Sequence, residues 1–494
     1  MYKFTRSAVF FGLGLAVQTV SATADITAED VWASWQTITE GGTAMLMASA
    51  QDRSSDQLTL SNVTFLLTIS EGTISGTIPQ ILLREDGGAV GISMSPDYTI
   101  EFNAVTPERQ AGNFTLLISQ PDHVVTASGE PDAISYDYTF PFLSARLDAM
   151  LVDEEQVPLA LSFEMENSAG SYLITEGDTR EVRTEATTER LSYQISGTDM
   201  DDADSLFELN GTMQDIASSN FGTLAAFGAT GDLGAMLNAG LTSEGRLTNG
   251  NFTFAFDMSG PEGLFGVDGS GASGEFDFRM DQSGLSYTSV NEDLDLMVDS
   301  DQFQFGAIGF RVGQATSRLQ MPLVPSENLQ DFALAMSLNG IELDDSTWGR
   351  FDPARFLSRD PASIVIDVSG NGLWDPNFSQ SNDGQQDPGQ LENIRINELV
   401  IEALGARASG TGQVDLNLDG DIPTPEGNAS LRLEGVNMLL SALVDSGLLP
   451  ESTAIGAQLM ITLFTQPGAG EDVLTTDFEV RRDGSVLANG QRIR

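Results

Sequence analysis

The chain has 494 residues, no cysteine, one histidine and a formal net charge of −49. Without cysteine it has no disulfides and no thiolate for zinc binding or nucleophilic attack, and so large a negative charge repels the phosphates of nucleic acids. The length predicts a sizeable core and roughly two to four domains.

Residues 1–24 have the three parts of a secretory signal peptide. Lys3 and Arg6 supply the positive start, residues 8–17 form an apolar segment, and small residues precede Asp25. That apolar segment is about half of the ~20 residues that a membrane-spanning helix needs. We therefore predict a periplasmic protein without a transmembrane segment in its mature chain. The cell surface and the medium are the alternative locations.

The mature chain is expected to open with one short helix. Thr27 is suited to cap it and Asp30 stands at its third position. Trp32 and Trp35 share one face, and Gly41-Gly42 would end the helix. The two tryptophans then anchor the helix on a sheet, and an aromatic platform for a ligand is the alternative.

Successive short antiparallel strands are predicted from residue 44 to about residue 215. Residues 57–69 are rich in Leu, Val, Thr and Phe, residues 72–78 alternate, and Pro79 is expected to end that strand. Asp86-Gly87-Gly88 predicts a tight hairpin, because glycine accepts the positive φ values that such turns need. The pattern is typical of an antiparallel meander.

The middle of the chain interrupts this pattern once and then resumes it. Residues 220–241 place apolar side chains among Gly and Ala, which indicates one or two short helices. From residue 251 onward Phe252, Phe254 and Phe256 alternate with Thr253 and Ala255, as in a half-buried strand. Residues 375–390 combine Asn, Ser, Asp, Gly and Pro, which favours a loop or linker.

The predicted fold class is mainly β, with large curved antiparallel sheets, a few short packing helices and a duplicated strand-helix unit in the C-terminal half. The duplication rests on a gapless shift that places residues 338–341 on 433–436 and residues 364–366 on 459–461. The second apolar run is equally compatible with a helix after Pro450. The predicted regions are a signal peptide (1–24), an N-terminal β-rich region (25–215), a middle β-rich region with a helical insertion (216–374), a linker (375–390) and a C-terminal strand-helix-hairpin region (391–494).

The sequence contains no recognisable catalytic constellation. His123 is the only histidine and lies in a predicted strand, and no Gly-x-Ser-x-Gly elbow supplies a nucleophile. The acidic cluster Asp199, Asp201, Asp202 and Asp204 lacks the glycine of a calcium loop. We interpret it as a solvated loop, with calcium binding as the alternative.

Carboxylates are the remaining chemical resource. Pairs drawn from Asp360, Asp367 and Asp375, or Asp277 with Asp281, have the residue types of a glycosidase acid and base. A chain with 72 acidic residues offers such pairs by chance. We therefore predict no catalytic residue, no cofactor and no metal.

Three motifs carry a resemblance to a known family. They are Val31-Trp32-Ala33-Ser34-Trp35, then Trp348-Gly349-Arg350-Phe351-Asp352-Pro353 followed by Arg359-Asp360-Pro361-Ala362, and Asp483-Gly484-Ser485-Val486-Leu487-Ala488-Asn489-Gly490-Gln491. Over nearly the whole mature chain they resemble an uncharacterised exported family of proteobacteria, domain of unknown function 2125. The resemblance implies a Gram-negative envelope setting and brings no activity, catalytic residue or cofactor.

Many amphipathic strands without catalytic residues lead us to expect a non-enzymatic binding or assembly factor of the envelope. Its partner would be a lipid, another apolar ligand or an envelope protein. The alternatives are a carboxylate-based hydrolase of envelope glycans and a structural or surface protein. Trp32, Trp35, Trp348 and Trp374 are the candidate ligand-binding residues, as groove walls or aromatic anchors, and core packing is the other interpretation of each.

Overall fold

The structure, a computed structural model, describes residues 25–37, 44–69, 72–105, 111–153, 155–177, 179–198, 205–224, 233–261, 263–303, 306–374, 389–417 and 424–494. The predicted signal peptide, the pair Gly41-Gly42, the acidic loop from Asp199 to Asp204 and residues 375–388 of the predicted linker lie outside these ranges.

Strands make up most of the described chain, as the mainly β prediction required. The helices are α1 (Ala28–Thr37), α2 (Leu233–Asn238), α3 (Asp345–Phe351), α4 (Val436–Asp445) and α5 (Glu451–Phe464). The strands of the first half are β1 (Ala44–Arg53), β2 (Gln57–Ile69), β3 (Gly72–Asp86), β4 (Ala89–Met94), β5 (Asp97–Val105), β6 (Ala111–Ser119), β7 (Val124–Glu130), β8 (Ala133–Val152), β9 (Glu155–Gln156), β10 (Leu159–Thr175), β11 (Arg180–Thr198) and β12 (Leu206–Leu224).

The strands of the second half continue without a change of class. They are β13 (Thr242–Asn249), β14 (Phe252–Gly260), β15 (Gly263–Gly271), β16 (Ser273–Asp281), β17 (Gly284–Ser300), β18 (Ile308–Met321), β19 (Gln330–Leu343), β20 (Ala362–Trp374), β21 (Gly389–Ala403), β22 (Ala406–Asn417), β23 (Thr424–Glu434), β24 (Gln466–Pro467), β25 (Val473–Val480), β26 (Val486–Ala488) and β27 (Gln491–Arg492).

All of these strands belong to one antiparallel sheet, where the sequence had suggested several. The predicted meander is confirmed, because each strand pairs mainly with the strands before and after it in the chain. Four strand pairs act as single long strands, since both members run along the same neighbours. These are β4 with β5, β6 with β7, β13 with β14, and β15 with β16.

Pro79 does not end β3, so that prediction was wrong. Ile78 pairs with Val63 and Gln80 pairs with Ser61, which leaves the proline unpaired between them. On its other side β3 changes neighbour at this level, from β5 to β4. No ladder hydrogen bond is therefore needed from the nitrogen that proline lacks.

A line of interruptions, which we call the crease, crosses the sheet at this level. At the crease the strands between β2 and β19 are broken, bulged or left unpaired for one or a few residues. The crease contains Asn62, Pro79, residues 95–96, residues 120–123, Asn167, Asp215, residues 250–251, Ala272, Asp293 and Gly340. Several of these residues have positive φ, including Asn167 at 49°, Asp215 at 50° and Gly340 at 68°, a conformation that Asn, Asp and Gly tolerate best.

The crease shifts the alternation of side chains by one residue. The sequence pattern of apolar residues shifts by one residue at the same place, so the apolar side chains stay on one face of the sheet. In β2 the apolar positions are Leu58 and Leu60 before Asn62, and Val63 after it. All three of these side chains are buried in one core cluster. A regular strand would have turned Val63 away from Leu60, because a one-residue step reverses the face.

The main core lies where α1 covers the first strands of the sheet. The hydroxyl of Thr27 accepts a hydrogen bond from the Asp30 N–H, and the Asp30 carboxylate accepts from the Thr27 N–H at 2.9 Å, as the capping prediction required. Val31 and Trp32 belong to a cluster of buried apolar residues that also lie on β2, β3, β4, β7, β8 and β10. Glu85 fixes the start of the helix by accepting from the Ala28 N–H at 2.9 Å.

Other local predictions fare unevenly. The hairpin at Asp86-Gly87-Gly88 is confirmed, with φ of 61° and 86° at the two glycines. In the segment predicted to be helical, residues 220–224 belong to β12 and helix α2 follows at 233–238. Strand β12 also crosses the predicted boundary between residues 215 and 216. Gly340 and Gly435 share nearly the same φ, 68° and 69°. The gapless repeat nevertheless aligns residues 364–366 of a strand with residues 459–461 of a helix.

The attachment of α1 should depend on the charge of Glu85. The Ala28 N–H and then Arg53, 2.8 Å away, lower the pKa of this carboxyl, so its contribution is complete above the unfolded-state pKa of about 4.3 and is lost as the pH falls through the lower folded-state pKa. Glu85→Gln should therefore lower the Tm at about pH 7, and the difference from the wild type should shrink by about pH 3.

The measurement is thermal unfolding followed by tryptophan fluorescence, because α1 carries Trp32 and Trp35. Glu101→Gln, a change at an exposed glutamate of β5, is the matched control and should leave the Tm unchanged. An equal Tm difference for Glu85→Gln at both pH values would contradict this account.

Candidate apolar binding face

One face of the sheet is lined by uncharged side chains over most of its length; we call it the apolar face. Direct cross-strand partners point to the same face, so rows of partners trace it. On the side of the crease nearer α1, one row contains Tyr136, Tyr172, Thr184, Asn220, Gly245, Phe278, Tyr287, Leu319, Leu334, Val368, Ile396, Gly412, Ala429, Phe478 and Ala488.

A second row lies beyond the crease. It contains Tyr98, Ile118, Ala145, Phe163, Tyr193, Gly211, Phe254, Gly269, Leu296, Phe310 and Leu343. At a strand spacing of about 4.8 Å, these eleven strands extend the row over about 50 Å. Burial raises the pKa of Tyr98 and Tyr193, so these hydroxyls stay neutral near neutral pH.

The opposite face is polar, as the neighbouring row shows. Next to the second row, the residues that point the other way are Glu164, Ser192, Thr212, Thr253, Ser270, Asp295, Arg311 and Glu342. In β17, Leu294 and Leu296 are half-buried whereas Asp295 and Met297 are exposed. In β19 the pattern differs, because Leu334 and Met336 of the apolar face are exposed.

Aromatic rings lie flat on the apolar face because glycines stand beside them. A Cβ added at seven glycines would collide with an aromatic ring of the adjoining strand. The pairs are Gly76 with Phe65, Gly197 with Phe207, Gly211 with Tyr193, Gly245 with Phe278, Gly269 with Phe254, Gly271 with Phe252, and Gly370 with Phe332. Each ring therefore covers the backbone of its neighbour, which gives a smooth surface.

A cavity of about 680 Å³ marks one edge of this surface. It lies at the ends of β10, β11, β12 and β14, and its apolar walls include Leu159, Phe207, Met258 and Leu264. The volume is within the range of small-molecule sites, about 300–1,000 Å³. Glu208 and Asp257 also line the cavity, so it lies between the edge of the apolar face and charged groups of the polar face.

The tryptophans singled out from the sequence do not line one site. Trp32 is 5% exposed in the core under α1, and Trp35 stacks on Tyr136 with 6.5 Å between ring centroids. Trp348 is 6% exposed in α3, far along the chain from α1. The backbone of Trp374 pairs with Gly389, and its side chain lies outside what the structure describes. Ligand binding by these four residues stays a prediction.

The face itself was not named as a site by sequence reasoning. Its residues repeat every second position, and Phe252, Phe254 and Phe256 had already been recognised as a half-buried strand. Phe163 and Leu296 show the same local alternation. The signal for each strand was therefore present, but the row across strands depends on the pairing register.

His123 bridges the crease. Its Nε2 accepts a hydrogen bond from the Met94 N–H at 3.1 Å, and its Nδ1 lies 2.8 Å from the Gln120 carbonyl oxygen. The first contact requires an unprotonated Nε2, so the proton of the neutral ring is on Nδ1 and is donated to Gln120. The ring also stacks on Phe140. These bonds join the two broken strands β4/β5 and β6/β7.

The carboxylates considered for catalysis are held by other side chains. Asp277 lies 3.9 Å from Arg246, and Asp281 accepts from Arg279 at 2.8 Å. Asp367 accepts from Arg318 and Asn397. Asp360 accepts from the Ser358 hydroxyl, and Asp375 lies outside the described residues. Within the described ranges, no group of three His, Asp or Glu side chains is arranged to hold a metal ion.

The motif around Trp348 forms a structured corner between β19 and β20. Asp344 caps α3 by accepting from the Thr347 N–H. Partial burial raises the pKa of Asp344, but the hydrogen bonds from Thr347 outweigh burial and lower the pKa below its ordinary value. Asp352 is 1% exposed and accepts from the N–H groups of Phe356 and Leu357 at 2.9 and 3.0 Å.

Comparison with known proteins gives a match to a protein family. A family model described as an uncharacterized protein conserved in bacteria, domain of unknown function 2125, matches residues 248–493. The match begins in β13, so it covers the motifs at Trp348 and Asp483 but not the opening motif at Trp32, and it is shorter than the resemblance suggested. No curated protein and no solved structure matches the chain.

Replacing Gly211 by alanine tests the close packing of the apolar face. The new Cβ would lie 2.5 Å from the Thr253 carbonyl oxygen and 2.6 Å from the Tyr193 ring, so Gly211→Ala should destabilise the fold by about 1–3 kcal/mol. Gly456→Ala in α5 is the control, because nothing lies within 4 Å of its Cβ, and it should stabilise by about 0.5–1 kcal/mol. Urea unfolding measures both changes, and equal effects would refute the packing argument.

Replacing Asp352 tests whether the corner motif is structural. Asp352→Ala leaves two backbone N–H groups without their acceptor, one of them buried, and should cost about 2–4 kcal/mol. Asp345→Ala is the control, since the Asp345 side chain is 98% exposed. Thermal unfolding gives the comparison, and an undiminished Tm for Asp352→Ala would show that the carboxylate is not needed for folding.

Proposed function

We propose that this chain, whose residues 248–493 belong to the uncharacterised bacterial family domain of unknown function 2125, is an exported, non-enzymatic protein that binds lipid acyl chains along its apolar face. The observation that carries the proposal is the row of uncharged positions that runs between Tyr136 and Ala488, with the parallel row beyond the crease. The two end members are buried, whereas Leu334 in the middle of the row is 47% exposed.

Acyl chains fit this surface because it is long, apolar and free of charge. Phe163 is still 36% exposed within its row, so a bound molecule can reach the rings. Apolar contact is favourable by about 25 cal/mol for each Å² removed from water. Fatty chains gain most from such a surface, since they present no polar group that would lose its hydrogen bonds.

The polar face supports a role without catalysis. Asp277 and Asp367 lie in its rows, opposite the surface that would hold the ligand, and both are ion-paired with arginines. An acid-base pair is thus not presented to a molecule on the apolar face. The sequence features of residues 1–24 support an envelope location for this binding protein.

None of the described helices is long and apolar enough to cross a membrane. The packing of α1 and α5 instead supports a role in covering the two ends of the apolar face. Helix α1 lies on the apolar face at β1 to β3. At the other end, the Phe464 carbonyl of α5 accepts from Thr476 at 2.8 Å, and Thr476 is two residues from Phe478 and so on the same face.

Charged substitutions on the apolar face should abolish ligand binding. Phe163→Glu and Phe254→Glu each place a carboxylate where the acyl chain lies, and the affinity for cis-parinaric acid should fall at least about tenfold. Thr253→Glu is the matched control, because it adds the same charge at the next residue on the polar face.

The readout is parinaric acid fluorescence, with lipid extraction and native mass spectrometry of the purified protein in parallel. Circular dichroism shows whether each variant keeps its sheet. Wild-type protein that carries no lipid and binds no parinaric acid would refute the proposal, as would equal loss of binding in Thr253→Glu.

A further inference from the structure

Helices α4 and α5 form a hairpin whose outer surface is apolar. In α5 the residues Ile455, Leu459, Met460 and Leu463 are 59%, 69%, 54% and 65% exposed. They recur at three- and four-residue spacings and so form one stripe along the helix. Ala454, in contrast, is buried. The usual arrangement of a surface helix is reversed, with its large apolar side chains turned outward.

Helix α4 and the turn extend this surface. Met438 is 62% exposed and Leu448 is 40% exposed. Between residues 436 and 465 the only charged residues are Asp445 and Glu451. Single exposed apolar residues are ordinary, but a contiguous exposed apolar patch marks an interaction surface.

The hairpin is fixed in place at both ends. Asp472 accepts from the N–H groups of Asn437 and Met438 at 3.0 and 3.1 Å, at the start of α4. The end of α5 is held at Phe464 by Thr476 and Asn489. The exposed stripe is therefore presented by an anchored element that adjoins the apolar face.

We propose that the α4–α5 hairpin docks on the surface of a neutral phospholipid bilayer, with the stripe of α5 in the interface. The charge of the molecule favours this occupant. A second copy would bring another chain of net charge −49 into contact, and a basic partner would find almost no carboxylates on the hairpin. A neutral bilayer avoids both obstacles, because it carries no net charge and needs no carboxylates to bind. Interfacial helices bind bilayers through their apolar area.

This docking deepens the proposed function and rests on it for its purpose: it would place the end of the apolar face next to a source of acyl chains. Without basic residues on the hairpin, anionic lipids would add no attraction. The negative charge of the rest of the chain would instead weaken binding to them at low salt.

Flotation of the full chain with phosphatidylcholine vesicles tests the proposal. The wild type should float with the vesicles, and Leu459→Ser with Leu463→Ser should weaken the interaction at least about tenfold. Met45→Ser with Met47→Ser is the control, because these two methionines of β1 are 47% and 53% exposed far from the hairpin. Adding phosphatidylglycerol to the vesicles should reduce flotation at low salt.

Three results would overturn docking: a wild type that does not float, a double variant that floats as well as the wild type, or a dimer in solution that the double variant converts to a monomer. Phe254→Glu separates the two proposals. Docking predicts that it still floats after losing parinaric acid binding. If neither the wild type nor Phe254→Glu binds parinaric acid but the wild type floats, the ligand-binding proposal fails and the docking proposal stands.

Discussion

The alternation of side chains between the two faces of a strand is the constraint on which this structure depends. A strand turns successive side chains to opposite faces, and β8 must do so over 20 residues. Twist and curvature make so long a run hard to keep regular. The crease resolves this by interrupting the strands from β2 to β19 at the same level, and the apolar positions shift by one residue there. Leu60 and Val63 meet in one core as a result.

The shared level of the interruptions matters as much as their presence. A bulge in one strand alone would break its register with both neighbours. Here Asn167 faces Glu189, and Glu189 faces Asp215, so that neighbouring strands shift together. The apolar face remains continuous across these strands, and between β19 and β20 a bulge at Gly340 keeps Leu338 opposite Ile364 and Ile341 opposite Ala362.

Sequence reasoning predicted the features that depend on local patterns. The cap at Thr27, the hairpin at Gly87-Gly88 and the strand at Phe252 follow from a few adjacent residues, and the structure has each of them. Pro79 was misinterpreted because its tolerance depends on a change of neighbour on one side of β3. The single sheet and the apolar rows depend on the register between strands, which no local pattern specifies. The phase change from Leu60 to Val63 was visible in the sequence, but its meaning required the neighbouring strands.

The residues that carry the family resemblance in the matched region build architecture. Trp348 packs beneath the Arg359 guanidinium, 4.9 Å from the ring centroid, and Asp352 satisfies the turn that follows. Asn489 binds the end of α5. The motifs within the matched residues therefore lie at the corner and at the end of the sheet. The apolar face, which we propose to hold the ligand, depends on apolar residues at every second position of each strand more than on particular residue types.

The meander also has a consequence for how the chain folds. Each strand pairs chiefly with the strands next to it in sequence, so most contacts close short loops, which favours fast folding for a β protein. The main core, formed by α1 with residues of β2, β3, β4, β7, β8 and β10, lies in the N-terminal part of the described chain. A polypeptide made from its N-terminus can thus complete this core early and add later strands one at a time, with no disulfide to wait for.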